Sequence, residues 1–296
     1  MPKISVIIIC YNRGGELRDC IQSILKQTLL PDEIIVVDNA STDGTEALFI
    51  NGGECALPYV RYERLARNLG VAGGRNHGIR MAKGDILIFI DDDALLEPAD
   101  AFAKTVERFE GDSRLGILAY KIINYYDKTI KREEFPHRDK TLDADREFET
   151  TYFVGAGHAI RKKLFDGCGV YPEDYFYGME EMDLSFRALA AGWRIFFFPS
   201  AVVWHKKSPK GRVADSEKWI FVYRNRLAIS YKYLRMRHFY VLGFIWFFKV
   251  WKESGSPATA IKGLFAFSGY RKGLSRSYVG DAAVRTIHGL CGRIWW

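Results

Sequence analysis

The stretch Ile86-Leu87-Ile88-Phe89-Ile90-Asp91-Asp92-Asp93 runs from five apolar residues straight into three adjacent carboxylates. An apolar run of this length, without polar alternation, reads as a strand buried on both faces, so the charges must emerge at its carboxyl end. In open α/β sheets that edge is where ligands bind. Three crowded carboxylates repel one another unless a cation neutralises them, and hard divalent cations prefer oxygen ligands. Taken alone, the triplet reads equally as a solvated acidic turn or a helix start, because Pro98 and Ala99 soon open a helical pattern.

The residues upstream settle the choice. Lys3 to Cys10 is a second buried-strand run, closing on Tyr11-Asn12-Arg13-Gly14. From Glu16 to Gln27, apolar residues at Leu17, Ile21, Ile24 and Leu25 keep helical spacing. Glu33 to Val37 is a third strand, ending at Asp38-Asn39 before the turn-rich Ser41-Thr42-Asp43-Gly44. Val60 to Glu63 reads as a short fourth strand, and a helix from near Gly73 to Ala82 follows the loop Asn68 to Gly74. Strands alternating with helices, each strand closing on polar groups, predict an α/β fold built on a doubly wound, mostly parallel sheet. One crevice would then collect Tyr11, Asn12, Asp38, Asn68, Arg75 and Asp91.

With these pieces in order, the chain resembles the family 2 glycosyltransferases of the GT-A fold. The matching segments are Ser5 to Arg13, Val36 to Thr45, Asn68 to Asn76, the triplet Asp91-Asp92-Asp93, Gly178 to Arg187, and Val203-Trp204-His205. Within the family the likeness is greatest to rhamnosyl- and galactosyl-transferase-like enzymes of bacterial or archaeal surface glycans. The resemblance implies a nucleotide site that includes Cys10, Tyr11, Asn12 and Arg13 after the first strand, with Asp38 on the base. A carboxylate suits that place, because uracil, thymine and guanine each carry a ring N–H that it can accept. Asp38 reads otherwise as an ordinary turn residue. Arg75 is a candidate for the pyrophosphate or base, since a guanidinium binds bidentately, and Asn68 joins the same loop.

Strand alternation sends Asp91 and Asp93 to one side and Asp92 to the other. The resemblance implies Asp91 at the ribose or base, Asp92 within the nucleotide site, and Asp93 on a metal at the diphosphate. Mg²⁺ or Mn²⁺ is the expected ion, held by few protein carboxylates plus substrate phosphate oxygens. His205 closes the short apolar run Ala201 to Trp204, and the family often places a second metal or diphosphate ligand there; an imidazole would tilt preference toward Mn²⁺. Read without the family, His205 is a surface or packed histidine.

Glu180 and Glu181 lead into a helix from Met182 to Ala191. Glycosyl transfer to a hydroxyl needs a base near the acceptor proton, and a neighbouring carboxylate raises such a group's pKa. The family pattern usually carries Glu-Asp with the second residue as base, so Glu181 is the expected base and Glu180 its neighbour. Both also suit a helix N-terminus without any catalytic role. Asp183 and Arg187, four apart on that helix, read as a structural ion pair.

The expected division is a catalytic domain over 1–212, its nucleotide half about 1–98 and acceptor half about 99–212, then a helical region over 213–296. That region begins with a helix from Asp215 to Met236 and continues through the aromatic run Phe239 to Phe248, flanked by Arg235, Arg237, His238, Lys249 and Lys252. Basic and aromatic residues continue from Lys262 to Trp295-Trp296. A run this short does not span a bilayer. With a net charge of +7 and a pI near 9.0 it reads as an element lying on an anionic membrane surface, or as buried packing or a homodimer contact. No nucleic-acid motif accompanies the charge. The chain opens directly into a strand, and its five cysteines lack metal-ligand spacing, which predicts free thiols and a cytoplasmic protein, peripheral on the inner face of the membrane if the tail binds there.

The expected function is inverting, metal-dependent transfer of a sugar from a nucleotide-diphosphate donor, UDP- or dTDP-linked, to a hydroxyl of a glycan or lipid-linked acceptor. The alternatives are a sugar-phosphate nucleotidyltransferase, whose glycine-rich amino-terminal loop is missing here, and a non-catalytic scaffold with the same fold.

Overall fold

The computed structural model describes residues 1–208, 210 and 215–292. Its first half has the expected alternation: β1 Ile4–Cys10, α1 Gly14–Ile24, β2 Glu33–Asp38, β3 Val60–Arg64, α2 Gly70–Met81 and β4 Ile86–Ile90. The strands lie in the order β3-β2-β1-β4, all parallel. Their side chains divide strictly by alternation. Val6, Ile8, Ile34, Val36, Ile86 and Ile88 pack with Leu17 and Ile21 of α1 on one face. Ile7, Ile35, Val37, Leu87 and Phe89 pack with Ala72 and Ile79 of α2 on the other. Burial on both faces is the physical reason these strands carry no polar alternation.

The second half of the sheet has no such signature in the sequence. β5 Ala94–Glu97 leaves the triplet at once, and α3 Ala101–Glu110 starts beyond Pro98. Then come β6 Leu115–Asn124, β7 Phe148–Thr150, β8 Gly157–Arg161, the short α4 Leu164–Cys168, α5 Glu180–Ala190 and β9 Arg194–His205. These strands complete one sheet in the order β3-β2-β1-β4-β8-β6-β9-β5, with β7 beside β9. β8 runs antiparallel to both β4 and β6, and β5 and β7 run antiparallel to β9, so the parallel reading holds for the nucleotide half and the second half is mixed. The apolar run 201–204 is the end of a twelve-residue strand whose register against β6 shifts after Phe198.

Strand order reverses at β1, with β2 on one side and β4 on the other, and a crevice opens outside the carboxyl ends of strands at such a point. The loop after β1 and the triplet after β4 therefore emerge together. The carboxyl-terminal region is helical: α6 Asp215–Tyr233, α7 Met236–Ser254, α8 Pro257–Tyr270 and α9 Gly280–Gly289. Tyr223, Leu227, Trp246, Phe267 and Ile287 join the same hydrophobic cluster as Ile7 and Phe89, so these helices share a core with the sheet. All five cysteines are free thiols. Trp295 and Trp296 lie outside the described residues.

Candidate active site

A cleft of about 310 Å³ opens at the switch point. Of the residues expected there, Cys10, Tyr11, Arg13, Asn68, Arg75 and the aspartate triplet line it, as do Glu180, Glu181 and His205. Asn12 and Asp38 do not. Asn12 adopts a positive φ of 56° and its side-chain oxygen accepts the Thr42 N–H at 2.7 Å, so it braces the facing loop. Asp38 is fully buried; its oxygens accept the Ser41 N–H at 2.7 Å and the Tyr62 hydroxyl at 2.5 Å. Its neighbour Asn39 faces the cleft instead.

The triplet divides as alternation requires. Asp91 and Asp93 converge with His205 so that one ligand atom from each lies within 4.8 Å of the others. Asp92 turns away, accepting from Arg13 Nη1 at 2.6 Å and from the Tyr11 N–H at 3.3 Å. Register makes the first grouping possible. β5 pairs with β9 so that Ala94 lies opposite His205, and the Lys206 N–H reaches the Asp93 carbonyl at 2.9 Å. His205 Nε2 lies 3.3 Å from Asp93 Oδ1, while its Nδ1 lies 2.6 Å from Glu134 Oε1. Burial pulls the His205 imidazolium down, but the Asp93 and Glu134 carboxylates outweigh it and lift its pKa to about 9. Burial opposes the Asp93 charge, yet the His205 hydrogen bond and charge win and hold it at about 2. Desolvation, with Asp93 adding repulsion against the Arg13 cation, pushes Asp92 up to about 7.

The donor set of two carboxylates and one imidazole fits a small divalent cation, with the nitrogen favouring Mn²⁺ over Mg²⁺. Glu134 is the residue the sequence conceals. It sits buried in an irregular, charge-rich segment between β6 and β7, 71 positions from the histidine it touches. A carboxylate on the far nitrogen of a ligating histidine fixes ring orientation and tautomer.

Arg75 lines the cleft and is buried. Nη1 donates to Glu181 Oε1 at 2.8 Å and Glu180 Oε1 at 3.3 Å; Nη2 donates to the Gly155 carbonyl at 3.1 Å and Asp91 Oδ1 at 3.5 Å. The guanidinium expected on the pyrophosphate or base is thus engaged by three carboxylates, joining the aspartate triplet to α5. The two glutamates differ sharply. Glu180 is 3% exposed, and desolvation, reinforced by the Glu181 charge, raises its pKa to about 8. Glu181 faces the opening. Asp183 pairs with Arg187 at 2.8 Å, as its spacing suggests, and also binds Lys232 of α6 at 2.8 Å.

Gly155 is a second residue missed from sequence. A Cβ there would stand 2.2 Å from Glu181 Oε1 and 2.6 Å from Arg75 Nη2, so any larger residue in the segment before β8 must displace the carboxylate or the guanidinium.

Residues 5–169 match the family described as Glycosyl transferase family 2. The uncharacterized glycosyltransferase YwdF of Bacillus subtilis is 30% identical over 212 residues, 71% of this chain and 76% of that protein. The O-antigen chain rhamnosyltransferase RfbN of Salmonella typhimurium is 25% identical over 213 residues, 69% of this chain and 66% of that protein. Among solved structures, the mannosyltransferase PcManGT from Pyrobaculum calidifontis, in complex with GDP-Man and Mn²⁺, has a TM-score of 0.60 at 20% identity, covering 97% of this chain and 79% of that one. The likeness to PcManGT bears on the fold, which is the GT-A arrangement expected from the strand pattern. Because the family match runs from β1 through α4 and so includes the switch point and the aspartate triplet, the chain belongs to glycosyl transferase family 2 and is a glycosyltransferase of glycan synthesis.

Proposed function

We propose that the chain transfers a sugar, with inversion, from a nucleotide-diphosphate donor to a hydroxyl of a glycan or lipid-linked acceptor. One observation carries this reading: the metal-competent group Asp91, Asp93 and His205 faces the Glu180–Glu181 pair across a single cleft, bridged by Arg75. A bound Mg²⁺ or Mn²⁺ would neutralise the diphosphate as it leaves. Asp93 and His205 would hold that ion, with Asp91 beside it toward the ribose, while Cys10, Tyr11, Asn39 and Asn68 wall the nucleotide.

Glu181 takes the acceptor proton as the hydroxyl oxygen bonds to the anomeric carbon, and the bond from that carbon to the diphosphate oxygen breaks with its electron pair. Inversion results from one in-line displacement, with no covalent nucleophile. Burial and the neighbouring Glu181 charge favour the protonated form of Glu180, which leaves Glu181 the better base for the acceptor proton. Arg75 fixes Glu181 in place and offsets its charge.

A UDP- or dTDP-sugar is the favoured donor. Asp38 already accepts from Tyr62 and the Ser41 amide but keeps acceptor capacity for a ring N–H of the base, while Asn39 and Asn68, which brace the Leu69–Gly70 backbone, line the cleft beside it. RfbN acts, by its name, on an O-antigen chain; a lipid-linked glycan is the corresponding acceptor class here, and it would bring this chain to an anionic membrane surface. The division into a catalytic part over 1–212 and a helical part over 213–296 belongs to the same reading.

The test is a thermal-shift screen of UDP-, dTDP- and GDP-sugars with and without Mn²⁺, followed by measurement of nucleotide release. A ligand that binds only the native state raises its melting temperature. The expected result is a Mn²⁺-dependent rise with one donor that Asp93→Asn loses. Equal response of wild type and variant would remove Asp93 from the site.

A further inference from the structure

α7 turns Leu242, Trp246 and Val250 inward at four-residue spacing, and α8 does the same with Gly263 and Phe267. Both helices lean on α6, where the Tyr223 hydroxyl donates to the Gly243 carbonyl at 2.6 Å and the Tyr223 ring lies against Gly263. The opposite faces stay in solvent. Tyr240, Phe244, Phe248 and Trp251 form one aromatic stripe along α7, exposed by 66%, 68%, 47% and 43%. Ile261, Leu264 and Phe265 add to it from α8, with Phe265 75% exposed. Single exposed apolar residues are ordinary; a stripe of four rings beside a second apolar helix face marks an interaction site.

The surrounding charge identifies the partner. Between residues 236 and 272 stand Arg237, Lys249, Lys252, Lys262, Arg271 and Lys272, all exposed, against Glu253 as the one acid. We propose that the outer face of α7 and α8 docks on an anionic lipid surface, its rings entering the headgroup boundary and its basic residues meeting headgroup phosphates. A second copy of the chain fits the face poorly, because pairing would press two strongly basic surfaces together. No helix among the described residues is long and apolar enough to cross a membrane, so the helices lie along the surface. The sequence points to Phe239–Phe248 with the basic and aromatic residues that continue from Lys262; the fold gathers part of them on α8 and separates the outward rings from Leu242 and Trp246, which are core.

Docking here also orients the cleft. Asn225 of α6 donates to the carbonyls of Tyr177 and Gly178 at 3.1 and 2.8 Å, and Arg224 donates to the Asp174 carbonyl at 2.7 Å. α6, against which α7 and α8 pack, therefore also braces the turn presenting Glu180 and Glu181. That consequence rests on the proposed role of Glu181; the docking itself does not.

Flotation of the full chain with vesicles of phosphatidylcholine alone, or with a third phosphatidylglycerol, tests the proposal without donor or acceptor, so it fails or succeeds independently of the catalytic reading. Wild-type protein is expected to float with the anionic vesicles at low salt, bind neutral ones at least tenfold more weakly, and detach as salt rises. Each basic residue removed should weaken binding about fivefold, so Lys249→Glu with Lys252→Glu and Lys262→Glu should lower it by a hundredfold or more. Phe244→Ser with Phe248→Ser and Phe265→Ser should also release the protein. Both triple variants change only exposed side chains and should keep the wild-type melting temperature. Wild-type protein that stays unbound to anionic vesicles at low salt overturns the proposal. So does a dimer in sedimentation that the serine variant converts to monomer while vesicle binding is unchanged, since the face is then a subunit contact.

Discussion

Glu180 and Glu181 are adjacent in sequence and both line the cleft, yet Glu180 is the more deeply buried, 3% against 17% side-chain exposure, and their substitutions should part accordingly. Glu181→Gln should lower kcat by about 10²–10⁴-fold with donor KM little changed, because the amide keeps the shape and loses the basic oxygen. Glu180→Gln should retain most turnover at neutral pH, since burial and the Glu181 charge already favour the neutral form that the amide imitates. If the second variant is the crippled one, the base is Glu180. The pKa of Glu180 also sets a pH dependence of stability. Its folded value, about 8, lies above its ordinary value, so the folded state holds the proton more tightly. The associated stability is complete below about pH 4.5 and is lost as pH rises through about 8. Melting curves across that window should show a fall in wild type that Glu180→Gln lacks. Glu134→Gln should weaken Mn²⁺ binding by 10–100-fold, read by the free Mn²⁺ signal in electron paramagnetic resonance, because the ring of His205 loses its carboxylate anchor. Unchanged Mn²⁺ affinity would reduce Glu134 to a packing role.

At the level of elements, the site depends on pieces that meet end to end. β4 delivers the triplet, β5 turns it back, and β9 brings His205 opposite Ala94. α2 carries Arg75 in from one side and α5 carries Glu180 and Glu181 from another, with the strand-leading segment at Gly155 running between them. Gly155→Ala inserts a methyl within 2.6 Å of both Arg75 and Glu181, so either the guanidinium or the carboxylate must move. Turnover should fall at least tenfold, since displacement of about 1 Å at a reacting group costs on the order of 10². The melting temperature should drop little, because Gly155 is only partly buried at the cleft edge. Wild-type kcat in this variant would mean that the Arg75–Glu181 contact does not position the base.

Over the whole molecule, α6–α9 are built into the core that supports the parallel sheet. Tyr223, Leu227, Ile229 and Tyr233 of α6 are buried partly by α7 and α8, and Lys232 reaches back to Asp183 on α5. Deleting residues 235–296 would expose that apolar surface. A fully buried leucine or phenylalanine side chain contributes about 1.5–3 kcal/mol, and whole domains are stable by about 5–15 kcal/mol. The shortened chain is therefore expected to melt far lower or to aggregate, and calorimetry or size-exclusion chromatography would register either. A shortened chain with the wild-type melting transition would instead mark the first 234 residues as an independent unit.

Much of the nucleotide half was legible in the residues themselves. Burial on both faces forces an unbroken apolar run, so β1, β2 and β4 announce themselves, and a charged group at the end of such a strand must emerge at the sheet edge; hence the cleft and its Tyr11, Asn68, Arg75 and Asp91 were readable from local pattern, while Glu180, Glu181 and His205 were reached through the family resemblance. Asp183 with Arg187 was readable from helical spacing. The second half was not, because β6–β8 lie in a mixed sheet whose partners are far apart in sequence and whose segments carry no distinctive period. Distance in sequence hides Glu134 behind His205, Gly155 beside Glu181, and the engagement of Arg75 by three carboxylates. Asp38 is the clearest case. Its residue type and its place after β2 suit a nucleobase, but Tyr62 and the Ser41 amide already occupy its oxygens, and only the pairing of β2 with β3 brings that tyrosine there. Local pattern determined which residues could reach the sheet edge; long-range packing decided which of them face the cleft, because alternation along a strand is a property of the residues and the identity of a neighbour across the sheet is not.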